Sequence, residues 1–221
     1  MIIYDVTMTI HEGMQVYKNN PEKKPEYKVT RDFKDSPAHE SRLAMDMHTG
    51  THLDMPLHFL PDGQTVETLD LTRVVTGCRV LDLSHVEDAI HADDLVPFNI
   101  QPDETILFKT RNSAVNQFDP GFVYLAEDGA KLLVELGINC VGIDGLGIER
   151  SQANYGTHKS LLGADIVIIE GLRLQEINQG YYFLVAAPLK IAGAEAAPMR
   201  ALLIERDNPN AASDENPLIS L

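Results

Sequence analysis

Three of the chain's eight histidines crowd into one short stretch with an aspartate: His48-Thr49-Gly50-Thr51-His52-Leu53-Asp54-Met55-Pro56-Leu57-His58. Neutral imidazoles and a carboxylate are the ligands that hold a divalent cation such as zinc. His, Gly, His, Asp, Pro and His take every even position from 48 to 58, and the odd positions are threonine or apolar. Alternation of that kind turns the polar side chains one way and sends Leu53, Met55 and Leu57 towards a core. His48 and His52 would stand about 13 Å apart if fully extended at roughly 3.3 Å per residue. Two imidazoles bonding one zinc at about 2.0–2.1 Å barely meet across that gap. The chain is therefore expected to bend between them at Gly50, which tolerates the backbone angles required. Asp54, two residues past His52, reaches the same cation. His58 lies beyond Pro56, whose ring restricts the backbone. It is expected beside the cation rather than on it, where a general acid or base belongs. His11, His39, His85 and His91 belong to no such group and read as ordinary histidines.

The elements that must position these residues are mostly strands. Short apolar runs predict them at 2–7, 26–31, 41–48, 79–83, 105–110, 140–143, 165–169, 181–186 and 200–204. The runs at 141–143 and 166–169 are continuous, which suits strands covered on both faces. A helix is expected over 126–136, with Ala130, Leu133, Val134 and Leu136 near one side and Gly137 at its end. A shorter one begins near Thr157 and runs through Leu161 and Leu162. Helix 126–136 leading into strand 140–143 has the form of an α-to-β unit in a parallel sheet. The strand-rich first part predicts a second, antiparallel sheet. No linker divides the middle of the chain, so residues 1–207 read as one domain and 208–221 as a C-terminal arm.

Composition narrows the function classes. The chain has 221 residues, of which 44% are hydrophobic and 23% charged, the balance of a globular protein. Eighteen Lys and Arg against thirty-three Asp and Glu give a net charge of −15, the wrong sign for nucleic acid or an anionic membrane. Cys78 and Cys140 sit far apart in apolar runs and read as buried thiols of a reducing compartment. No basic leader with a long apolar run opens the chain, and no apolar run approaches the roughly 20 residues of a membrane span. A soluble, cytoplasmic protein is expected. No serine stands in a G-x-S-x-G context, and Gly142, Gly145 and Gly147 form no dinucleotide fingerprint.

The stretch 48–58, written H-x-G-T-H-x-D-x-P-x-H, resembles the signature of the cyclase-like metal-dependent hydrolase family, which includes bacterial kynurenine formamidases and isatin hydrolases. Tyr4-Asp5-Val6-Thr7 resembles the family's first strand, and Pro188–Ile191 with Ala197–Ala201 its closing segment. The resemblance implies that His48, His52 and Asp54 hold one metal ion and that His58 handles protons. It also implies that Asp54, His158 and Glu170 hold a second ion, the last two being the family's His and Glu twelve residues apart. Glu170 independently follows the apolar run 166–169, and a carboxylate at a strand end is a common functional position in α/β sheets. Zinc suits this ligand mixture, with manganese the alternative, at one or two ions per subunit. The implied fold is α/β, a three-layer β/β/α domain of the swivelling type with a mainly parallel sheet and an antiparallel one. The implied activity is hydrolysis of a small molecule's amide, lactam or lactone bond by a metal-activated water, in a homodimer or homotetramer. A non-catalytic, metal-dependent small-molecule binding protein on the same fold is the alternative. The chain has no tryptophan, and residues 149–155 depart from the formamidase pattern, so the pocket lining has drifted. Tyr17, Tyr27, Phe33, Phe59 and Tyr155 stand open as pocket or packing residues.

Overall fold

The computed structural model describes residues 1–205, so the arm expected at 208–221 lies outside the described residues. Within them the chain runs through β1 (Ile2–Asp5), β2 (Glu26–Arg31), β3 (Glu40–Ala44), β4 (His52–Asp54), β5 (Val75–Asp82) and β6 (Ala89–Ile90). It continues through α1 (Ala92–Leu95), β7 (Thr105–Lys109), β8 (Tyr124–Leu125), α2 (Glu127–Leu136), β9 (Cys140–Ile143) and α3 (Gly156–Gly163). The last elements are β10 (Val167–Glu170), β11 (Gly180–Val185), β12 (Ala196–Pro198) and β13 (Leu202–Glu205).

One nine-stranded sheet, in the order β1-β13-β11-β5-β7-β9-β10-β4-β12, organises the molecule. Its centre, β5-β7-β9-β10, is parallel, and both flanks are antiparallel. The parallel and antiparallel pairings expected from the sequence thus share one continuous sheet. Residues of the central strands alternate between two apolar cores, as the two-residue period of a strand requires. Ile106, Phe108, Val141, Ile143 and Ile168 face a core that includes Leu133 of α2 and Leu161 of α3. Leu107, Cys140, Val167 and Ile169 face the other, which the flanking strands close with Leu53, Leu184, Ala197 and Leu203. Strands β2 and β3 form a separate hairpin, and β6 pairs with β8.

Helix α2 forms where expected, with Glu127 and Asp128 in its first turn and Gly137 closing it. Cys78 and Cys140 are free and buried, and burial pushes the Cys140 thiol up to about 12. Among the described residues, no helix is long and apolar enough to cross a membrane. Two expectations are corrected. The strand predicted over 41–48 ends at Ala44, because the backbone turns back where Thr49 N–H donates to Asp46 O. The alternation read over 48–58 holds as a strand only over His52–Asp54; Pro56 then starts a single 3-10 turn that ends at His58. Both departures bend the histidines inward.

Candidate metal centre

Strand β4 lies between β10 and β12, and its pairing with β10 sets Glu170 directly opposite His52. Directly paired residues share a sheet face, so His52, Asp54 and Glu170 point to one side, while Leu53 enters the core behind them. His48 joins them from the preceding turn, where Gly50 adopts φ +74°. The bend expected at Gly50 is therefore present. It is locked by Thr51, whose hydroxyl donates to Gly171 O at 2.6 Å and accepts from Met8 N–H at 2.8 Å. Helix α3 brings His158 from the opposite side.

The donor atoms converge. His48 Nδ1 and His52 Nε2 are 3.3 Å apart, and they lie 3.0 and 3.4 Å from Asp54 Oδ1. Ligands around a tetrahedral zinc at about 2.0–2.1 Å stand roughly 3.3–3.4 Å from one another, so this triangle has the dimensions of three ligands to one ion. On its far side, His158 Nε2 lies 3.9 Å from Asp54 Oδ2 and 3.5 Å from Glu170 Oε1, and Glu170 Oε2 is 3.4 Å from His52 Nε2. Among the described residues, neither of the two buried Asp54 oxygens has a hydrogen-bond partner. A buried carboxylate with free lone pairs is costly unless a positive charge meets it, and a divalent cation between these donors fits that need.

His52 and His158 are each oriented by a hydrogen bond through the other ring nitrogen. His52 Nδ1–H donates to Gly50 O at 2.9 Å, and His158 donates to Glu149 Oε2 from Nδ1 at 2.8 Å and from its amide at 3.2 Å. His48 Nε2 lies 3.3 Å from Glu195 Oε1. Glu170 Oε1 accepts from Ile148 N–H at 2.6 Å. Such outer partners fix tautomer and aim. Glu149 and Glu195 were missed from the sequence; the available signal for Glu149 was an acidic residue directly after the apolar Ile148 in a glycine-rich turn.

Electrostatics favour positive charge at the centre. Burial and the Asp54 charge would raise Glu170, yet His158 and His52 hold it at about 2. Burial would likewise raise Asp54, but His48 and His52 keep it well below the carboxylate range. Burial works the other way on His52 and His158, and the neighbouring carboxylates overcome it, holding them at about 10 and about 9. His58 differs. Burial lowers its pKa, and His48 and His158 add to the effect against the opposing charges of Asp54 and Glu170, which favours the neutral ring. Its ring lies tilted 4.1 Å from the His48 ring and edge-on 5.7 Å from that of His158, with a nitrogen within 4.8 Å of donors on His48 and Asp54. Phe59 stacks on His158 at 4.5 Å and meets Tyr155 at 5.1 Å. Tyr27 lies instead on strand β2, and Phe33 stacks on His39.

The Cyclase family model matches residues 4–150, which include the whole 48–58 stretch. The chain belongs to the Cyclase family. A kynurenine formamidase from Salinibacter ruber is 29% identical over 212 residues, which is 95% of this chain and 100% of that one. A solved structure described as a predicted metal-dependent hydrolase from Bacillus stearothermophilus is 49% identical, with a TM-score of 0.86 over 93% of this chain and 98% of that one. Isatin hydrolase A from Ralstonia solanacearum, at 22% identity, a TM-score of 0.79 and 92% of each chain, shares the fold. The family match ends before His158 and Glu170, which the structure sets beside Asp54 and His52 at the distances above.

Proposed function

We propose that this Cyclase member is a metal-dependent hydrolase that cleaves a carbonyl–nitrogen bond of a small amide, a formamide or lactam, or the carbonyl–oxygen bond of a lactone. His48, His52 and Asp54 hold one divalent cation; Asp54, His158 and Glu170 provide for a second; zinc is the element that best suits the set, with manganese next. The observation that carries this reading is the pair of buried, unpartnered Asp54 oxygens between two groups of nitrogen and oxygen donors. A cation bound there supplies a Lewis acid and lowers the pKa of water from about 15.7 towards about 7. His58, whose ring no hydrogen bond holds among the described residues, takes the proton of the attacking water and returns it to the leaving nitrogen or oxygen. Glu149, Glu195 and the Gly50 carbonyl keep the ligand rings in place. Phe59 and Tyr155 form an aromatic wall beside His158. The strands of the antiparallel flanks closing one core, and helices the other, support the three-layer β/β/α arrangement. The same reading assigns the protein to the cytoplasm as a homo-oligomer.

The test is metal analysis of the purified protein, followed by hydrolysis assays on N-formylkynurenine, isatin and simple lactones. Turnover of at least one substrate is expected, lost on chelation and restored by Zn²⁺ or Mn²⁺. Bound metal without turnover of any of them would favour a binding protein built on the same centre.

A further inference from the structure

The strap at 147–151 carries two of the groups that aim the centre, the Ile148 amide on Glu170 and the Glu149 carboxylate on His158. Its near end is fixed by backbone, because Leu125 N–H donates to Ile148 O at 2.9 Å. Its far end turns at Ser151, where φ is +59°. A residue with a Cβ holds that left-handed conformation only when its surroundings impose it. The neighbour that reaches it is Tyr17, whose hydroxyl lies 2.7 Å from Ser151 Oγ across 134 positions of sequence. The Tyr17 ring is itself held edge-on by Phe118 and Phe122, at 5.4 and 6.3 Å between centroids. Its ring edge also lies beside the other end of the strap, where a Cβ at Gly147 would come within 3.4 Å of Tyr17 Cε2. Tyr17 thus meets both ends of the strap, with its ring beside Gly147 and its hydroxyl on Ser151. Burial raises the Tyr17 pKa above its usual value against the opposing effect of the Ser151 bond, and the charges of Glu170 and Glu149 add to the rise.

We propose that Tyr17 is a positioning residue for the cation centre: its bond to Ser151 fixes the strap so that Ile148 and Glu149 keep Glu170 and His158 aimed at Asp54. This rests on the reading that those side chains hold a cation. Tyr17→Phe keeps the ring and removes only the hydroxyl. Zn²⁺ affinity, measured by competition with a chromophoric chelator, is expected to fall about tenfold, the low end for outer partners of metal ligands. The Tm of the cation-free protein, which a packing role would lower, is expected to stay close to that of the parent. Ser151→Ala should give the same loss, and the double variant no more than either single one, because both remove one bond. Parental Zn²⁺ affinity in Tyr17→Phe, or a double variant showing the product of the two losses, would overturn the proposal. Asp54→Asn, at the residue shared by both donor groups, separates the two readings. If it binds Zn²⁺ like the parent, the cation centre itself is wrong; if it loses binding while Tyr17→Phe does not, only the role of Tyr17 falls.

Discussion

His58 shows how two imidazoles a few ångströms apart acquire opposite chemistry. His52 is wedged among carboxylates and held at about 10, whereas His58 is buried against other imidazoles and pushed below its ordinary 6.5. Among the described residues, no hydrogen bond holds either ring nitrogen of His58, while the rings of His52 and His158 are each anchored through Nδ1. A ring free to exchange protons is what general acid–base work needs. Replacing His58 by Ala is therefore expected to lower turnover by about 10²–10⁴-fold while the purified variant keeps its full metal content. Loss of metal from His58→Ala would instead make it a ligand, a role its distance from His48 and Asp54 permits. This division of labour was legible in part. The grouping of His48, His52, Asp54 and His58 is local, so spacing alone exposes it. Glu149 and Glu195 reach the centre from loops far along the chain, and nothing in the 48–58 stretch encodes them.

At the scale of elements, the centre depends on how strand β4 is entered and how β10 is left. Gly50 before β4 and Gly171 after β10 both take positive φ, +74° and +71°, and they meet back to back, so that a Cβ on Gly171 would overlap the Gly50 backbone. Gly171→Ala is expected to destabilise the fold by about 3 kcal/mol, combining backbone strain with overpacking. Gly137 has a similar φ of +70° but open space around it, so Gly137→Ala isolates the backbone cost and should be the milder change. Urea denaturation of the two variants checks the difference. Equal losses would mean that the close approach of the two turns carries no weight. The strands β5, β7, β9 and β10 follow apolar runs that any reading of the sequence finds. Strand β4 has three residues, and β10 and β12 pair with it on either side; the alternation over 48–58 does not by itself say where the strand begins or stops.

For the whole molecule, the consequence is a fold whose stability is linked to cation and proton together. Without a cation, His52 and His158 stay protonated between carboxylates, with pKa values raised from 6.5 to about 10 and about 9. Their contribution to folding is complete below about pH 6.5 and fades as pH rises through about 9–10. A divalent cation takes the place of those protons, so its stabilising effect must grow over the same range. Free Zn²⁺ at a hundredfold excess over its Kd is expected to add about 2.7 kcal/mol to stability, a rise of several degrees in Tm for a chain of this size. At a fixed Zn²⁺ concentration the increment should be larger at pH 8 than at pH 6, measured by thermal denaturation with and without the ion. An increment independent of pH would show that these histidines release no protons on binding.

From its residue order alone this chain determined the ligand types, the bend at Gly50, the helix over 127–136 and the apolar strands, because each is written within a dozen neighbouring positions. Tertiary structure decided the rest: that Glu170 lies across from His52, that His158 faces Asp54, and that Glu149, Glu195 and Tyr17 stand behind them. Those contacts are set by strand register and by loops meeting from distant parts of the chain, and no local spacing specifies which distant carboxylate will arrive.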